Sequence, residues 1–128
     1  MKKHALSIQE PYIQLFLLGL KHYETRSTQT HYRGEIYLQT SLREFTGWTK
    51  NPLLSFIKKD SFRPGMVVAK GILTDCVPTE LVANEEERKW GFYDGARYAW
   101  KIDNIQPVEP FPLRGILGLF PFEMGGEP

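Results

Sequence analysis

From His4 to Ile8 the chain alternates, with Leu6 and Ile8 on one side and Ala5 and Ser7 on the other, which is the period of a half-buried strand. Pro11 suits the first position of a helix. The run Tyr12 to Leu18 that follows is apolar except for Gln14 and ends at Gly19, a residue that readily adopts the left-handed conformation of a helix stop. A helix with one polar residue is expected to be buried on most sides. Beyond the stop, Lys21 falls in a turn and Tyr23 to Arg26 begins an extended segment in which Glu24 and Arg26 share a face. Ser27 to Tyr32 reads as a loop and Arg33-Gly34 as a turn.

The second strand of clear period two is Glu35 to Ser41, with Ile36, Leu38 and Thr40 on one face and Tyr37, Gln39 and Ser41 on the other. Arg43 to Lys50 is irregular and carries the aromatics Phe45 and Trp48, expected to be exposed. Asn51 as cap and Pro52 in the first turn predict a short helix through Ile57, ending near Lys58-Lys59-Asp60. Pro64-Gly65 turns the chain into a long strand, Met66 to Val77, in which Gly71 marks a bulge or bend. Thr79 is placed to cap a short helix carrying Glu80, Leu81, Val82 and the charged run Glu85 to Lys89, a solvated face. Trp90 to Arg97 is an aromatic, glycine-containing loop, and Tyr98 to Ile105 returns to strand. Pro107, Pro110 and Pro112 make a stiff connector before a last strand, Gly115 to Phe122. Strands with two or three short helices in the connections predict an α+β fold, the strands closing into a small mixed β-barrel, with residues 1–128 forming one domain.

Composition narrows the function. A content of 41 % apolar residues and a net charge of +1 are those of a globular chain without a bulk affinity for polyanions, so nucleic-acid binding requires a local basic patch. The single cysteine, Cys76, excludes an internal disulfide and reads as a small buried apolar residue. With His4, His22 and His31 it makes no zinc spacing. No metal and no cofactor are implied. The basic start Met1-Lys2-Lys3-His4 lacks the apolar run of a signal peptide, and the stretch Ile13 to Leu20 is too short to span a bilayer, so a cytoplasmic protein without a membrane is expected.

The densest chemistry is the octet Gly19 to Arg26. Lys21, Glu24 and Arg26 can be an ion-pair network that closes the helix-strand turn. They can equally line a cleft where Lys21 supplies a point charge, Arg26 a bidentate fork, and Glu24 orients both or accepts a base amino proton. Aromatic side chains near such a cleft would stack on bases. The candidates are Tyr12, Tyr98 and Trp100, with Trp48, Trp90 and Tyr93 on loops, while Ser7, Thr40 and Ser41 offer hydroxyls. Glu24 beside Lys21 would by itself raise the lysine pKa, the wrong direction for a base or nucleophile.

Leu6-Ser7-Ile8-Gln9-Glu10-Pro11-Tyr12, Gly19-x-Lys21-x-x-Glu24-x-Arg26 and Tyr32-Arg33-Gly34 before a strand together resemble the activating-signal-cointegrator homology (ASCH) domain. So do Gly71 to Cys76, Tyr98-Ala99-Trp100 and Gly115-x-Leu117-Gly118-Leu119-Phe120. The resemblance implies a PUA-like β-barrel with the octet in a cleft between barrel and first helix. It also implies a partner that is RNA, another single-stranded nucleic acid or a nucleotide, held by Lys21, Glu24, Arg26, Ser7, Tyr12, Ser41 and Tyr98. Some small members are enzymes on RNA or modified nucleosides, and in an enzyme Lys21 and Glu24 would be the catalytic pair. The family's acylcytidine amidohydrolases imply a Thr where this chain has Glu24. Thr25 is adjacent, but a one-residue shift along a strand should turn it to the opposite face. An interaction domain of a larger transcription or repair assembly is a third reading, and the oligomeric state stays open.

Overall fold

The computed structural model describes residues 1–125. Its strands are β1 (Lys2–Ile8), β2 (Tyr23–Arg26), β3 (Gly34–Thr40), β4 (Met66–Pro78), β5 (Tyr98–Pro112) and β6 (Leu119–Glu123), with the short helices α1 (Tyr12–Leu17) and α2 (Glu85–Arg88) in the connections. The strands form one mixed sheet in the order β2-β5-β4-β3-β1-β6, where only β1 and β3 run parallel. Among the described residues no pairing joins β2 to β6, so the α+β fold is built on an open mixed sheet.

Period-two patterning explains how both faces of this sheet are used. Leu6 and Ile8 of β1 and Ile36 and Leu38 of β3 meet Ile13 and Phe16 of α1, together with Trp100 and Ile102 of β5, in the main core. The alternate residues Ala5 and Tyr37 pack with Val67 and Phe120 in a second cluster, against which Phe111 and Phe122 rest. β1 and β3 are therefore buried on both faces, more than a half-buried strand requires. Leu15 leaves α1 on another side and joins Trp48, Leu54, Ile57, Phe62 and Trp90 in a third cluster built almost wholly from loops. A six-residue helix has too few intrahelical bonds to stand alone, and contact with two clusters is what holds α1.

Several expectations are corrected by packing. Trp48 is buried, its ring 5.7 Å from that of Phe62 and its Nε1 donating to Glu44 Oε2 at 2.9 Å. Asn51 does cap, accepting the Leu53 N–H at 3.0 Å, but what it starts is a 3-10 turn, Pro52–Leu54, and not a helix to Ile57. Thr79 caps nothing. Its hydroxyl donates to the Arg97 carbonyl, and Asn84 caps α2 by accepting the Glu87 N–H at 2.8 Å. Gly71 does interrupt β4, where the register shifts between Lys70 and Ile72 and a Cβ would lie 2.9 Å from the Asp103 carbonyl. The proline connector belongs to β5, with Pro107 opposite Ala69 and Pro112 opposite Met66. β2 covers only Tyr98 to Lys101 of its outer edge, so no strand pairs with the proline stretch on that side. The last strand begins at Leu119, just after Gly118 at φ +82°. Among the described residues no helix is long and apolar enough to cross a membrane.

Glu10 sits where β1 hands over to α1 and is 1 % exposed, with both carboxylate oxygens 3.2 Å from Gln14 Nε2. Burial pushes its pKa from the ordinary 4.5 to about 7 despite that hydrogen bond. The folded protein then holds a proton that the unfolded chain releases, so stability should fall as pH rises from about 4.5 to about 7 and level off above. Glu10→Gln should flatten that window and raise stability above pH 7 by at most about 3 kcal/mol. Urea melts of both proteins across the window check this, and parallel pH profiles would contradict it.

Candidate functional site

The octet is placed by the way α1 ends. Gly19 takes φ +77°, and the N–H groups of Leu20 and Lys21 both return to the Leu15 carbonyl, at 3.0 and 3.2 Å, which turns the chain back across the helix end. Lys21 is thereby carried inward and is 3 % exposed. Its Nζ donates to the Trp90 carbonyl at 2.6 Å, stands 4.0 Å from Glu24 Oε1, and lies 5.5 and 5.6 Å from the ring centroids of Tyr12 and Phe16. Burial pulls the Lys21 pKa down, while the carboxylates of Glu24 and Glu87 pull it back up. Burial wins, so the direction expected from Glu24 alone is reversed.

β2 displays Glu24 and Arg26 together as its alternation requires. Arg26 donates to Glu24 Oε2 through Nε at 3.1 Å and lies within 3.0 Å through Nη2, which also donates to the Ser7 carbonyl at 2.5 Å. Behind it the Trp100 ring, 5.9 Å from the guanidinium, donates through Nε1 to the Thr28 carbonyl. Trp100 is thus a packed support of Arg26. The facing wall is the loop from Trp90 to Arg97. Arg97 Nη2 donates to the Thr25 carbonyl at 3.0 Å and Nε to the Phe92 carbonyl at 3.1 Å, while the Phe92 N–H donates to Thr25 Oγ1 at 3.3 Å. Gly91 lets this loop come close, since a Cβ there would lie 3.2 Å from Lys21 Nζ and 3.3 Å from Thr25 Oγ1.

Between these walls lies a cleft of about 940 Å³. Ser7, Tyr12, Lys21, Glu24, Arg26 and Ser41 all line it, brought together from β1, α1, β2 and the end of β3. Tyr98 does not, being half-buried and packed against the main core, and Thr40 turns inward to hydrogen-bond the Arg63 carbonyl. Of Trp48, Trp90 and Tyr93, Trp90 alone lines the cleft, and all three are buried. Thr25 was expected to face away but also lines the cleft, because β2 is an edge strand and the cleft wraps around it. Phe45, Phe92 and Arg97 complete the lining. Nothing in the octet points to Phe92 and Arg97, which lie some seventy residues further on; the aromatic, glycine-containing character of their loop is the only local sign.

The cleft carries three cationic side chains, Lys21, Arg26 and Arg97, against one carboxylate, Glu24. This is the local basic patch that a net charge of +1 otherwise withholds. Among the described residues no group of three or more His, Cys, Asp or Glu side chains could hold a metal ion. Asp75 is exposed and accepts the Cys76 N–H, and Cys76 rests half-buried against the main core.

The architecture has a counterpart of known structure. A crystal structure of a mutant of ZmASCH from Zymomonas mobilis aligns with 88 % of this chain and 77 % of that one, with a TM-score of 0.53 and 14 % identity. The chain has an ASCH-type fold. No family model matches its sequence, and no curated protein is significantly similar to it in sequence. In this ASCH-type fold the charged octet lies against the cleft at the end of α1, with Lys21 in its wall.

Because desolvation sets the Lys21 pKa and Glu24 opposes it, Lys21 should titrate below the exposed lysines, and Glu24→Gln should move it lower still. NMR titration of the lysine 13Cε resonances reads both effects. A Lys21 that titrates with or above the exposed lysines would contradict the buried-ammonium geometry.

Proposed function

We propose that this protein binds RNA, or another single-stranded nucleic acid or nucleotide, in the cleft built on Lys21, Glu24 and Arg26. The observation that carries the reading is the convergence of two chemically distinct cations on one hollow. Arg26 is held by Glu24 and Ser7 with its Nη1 left without a partner among the described residues, and Lys21 uses one of its three N–H donors on the Trp90 carbonyl. A network whose only role was to close a turn would gain nothing from burying an ammonium on the wall of a 940 Å³ cleft. The hydroxyls of Ser7, Ser41 and Thr25 add donors and acceptors suited to sugar and phosphate oxygens. An ASCH-type fold is consistent with this use, and a cytoplasmic location would suit it.

A second reading, a small hydrolase on RNA or a modified nucleoside, is favoured by one feature: a desolvated amine sharing a hollow with a carboxylate and with the Thr25 hydroxyl. In that case Lys21 is the base or nucleophile and Glu24 its partner.

Fluorescence anisotropy with a short single-stranded RNA distinguishes the readings when paired with an assay for turnover. Binding should weaken by at least about tenfold in Lys21→Ala and in Arg26→Ala, each the loss of a charge-assisted contact. Affinity should fall with salt with a log-log slope near about −2, as for up to three phosphate contacts. RNA that is stable in the complex supports binding alone, whereas cleavage or deacylation that disappears in Lys21→Ala supports the hydrolase. Equal affinity of wild type and both variants would remove the cleft from the account.

A further inference from the structure

Two aromatic rings stand exposed at this cleft although the chain buries most of its others. Phe92 is 59 % and Phe45 42 % exposed, and both line the cleft from different elements. Neither is loosely held. The Arg97 guanidinium lies 4.9 Å from the Phe92 ring and is itself fixed to the Phe92 and Thr25 carbonyls, so one face of that ring is backed by a cation. The Phe45 ring is backed by Tyr12 at 5.8 Å, and its N–H is anchored to the Glu10 carbonyl at 2.8 Å. Each ring therefore has one face supported and area left uncovered, with little side-chain freedom to lose when a ligand covers it. Leaving two such rings in water forgoes the burial that every core ring of the chain obtains.

We propose that Phe92 and Phe45 form a two-ring stacking clamp for unpaired nucleobases lying in the cleft, while Lys21, Arg26 and Arg97 hold their phosphates or base edges. The inference rests on the nucleic-acid reading above and narrows it to single strands or flipped-out bases, because a base inside a duplex has no free face to offer. An apolar peptide would also cover the rings, but the excess of three cations over one carboxylate among the lining side chains selects an anionic aromatic ligand over a neutral one. Stacking on a side chain is tolerant of base identity, so the clamp should recognise the presence of a base more than its kind.

The test compares a short oligoadenylate with an abasic strand of the same length and charge. Wild type should prefer the oligoadenylate by about tenfold or more, the range that one or two stacked bases supply. Phe92→Ala and Phe45→Ala should each remove most of that preference by weakening the oligoadenylate far more than the abasic strand, and Phe92→Trp should retain it. Both positions are exposed, so melting temperatures close to wild type are expected and are measured alongside. Equal affinity of wild type for the two strands would overturn the clamp and leave the charged cleft standing, as would a preference that survives both alanine variants. Failure of wild type to bind either strand would overturn the clamp together with the reading it rests on.

Discussion

The buried ammonium of Lys21 is the constraint on which the arrangement of this protein depends. Removing such a charge from water costs several kcal/mol unless hydrogen bonds and opposite charge replace the lost hydration. Here one carbonyl, that of Trp90, and one carboxylate at the limit of ion-pair distance do so. To supply them the fold must stop α1 at Gly19, start β2 at Tyr23 and bring the Trp90 loop across from the far half of the chain. Phe16 and Tyr12, which anchor α1, also form the apolar surround that depresses the Lys21 pKa. One side chain thus couples helix, edge strand and loop, and a wall of the cleft is the surface where they meet.

The same economy runs through the rest of the charged set. Glu24 divides its two oxygens, one toward Lys21 and one to Arg26, and Arg26 passes the connection to the Ser7 carbonyl of β1. Arg97 ties the loop to β2 through the Thr25 carbonyl, and His22 meets Glu87 of α2 at 3.0 Å on the outer side. Ion pairs as buried as Lys21-Glu24 and Arg26-Glu24 recover little beyond the cost of desolvating their charges, so the value of this chain of contacts lies in fixing the geometry of the cleft more than in holding the fold. The fold itself is held by the three apolar clusters, two of them on opposite faces of the sheet.

How much of this could be read from the amino acids follows from the range of each interaction. The ends of β2, the stop at Gly19, the Asn51 cap and the interruption at Gly71 are local matters of backbone preference, and they lie where the residues place them. Six of the seven residues expected at the site share the cleft, because alternation in β1 and β2 and the turn after α1 decide their directions. What was illegible depends on contacts distant in sequence. Trp48 looks exposed until Phe62 and Leu54 cover it, and the prolines of β5 look like a connector until the short length of β2 leaves their edge free. Tyr98 was drawn into the core, and Arg97 and Phe92 entered the site through a loop with no sequence link to the octet. Barrel closure, too, depends on whether β2 and β6 meet, and neither strand encodes that by itself.

We propose that a nucleotide sits in the hollow beside Lys21, and a crystal structure of the protein with a short single-stranded RNA bound tests this. A phosphate or base edge should lie within hydrogen-bond distance of Lys21 Nζ and the free edge of Arg26. RNA found elsewhere on the molecule, with this cleft holding only solvent, would contradict it.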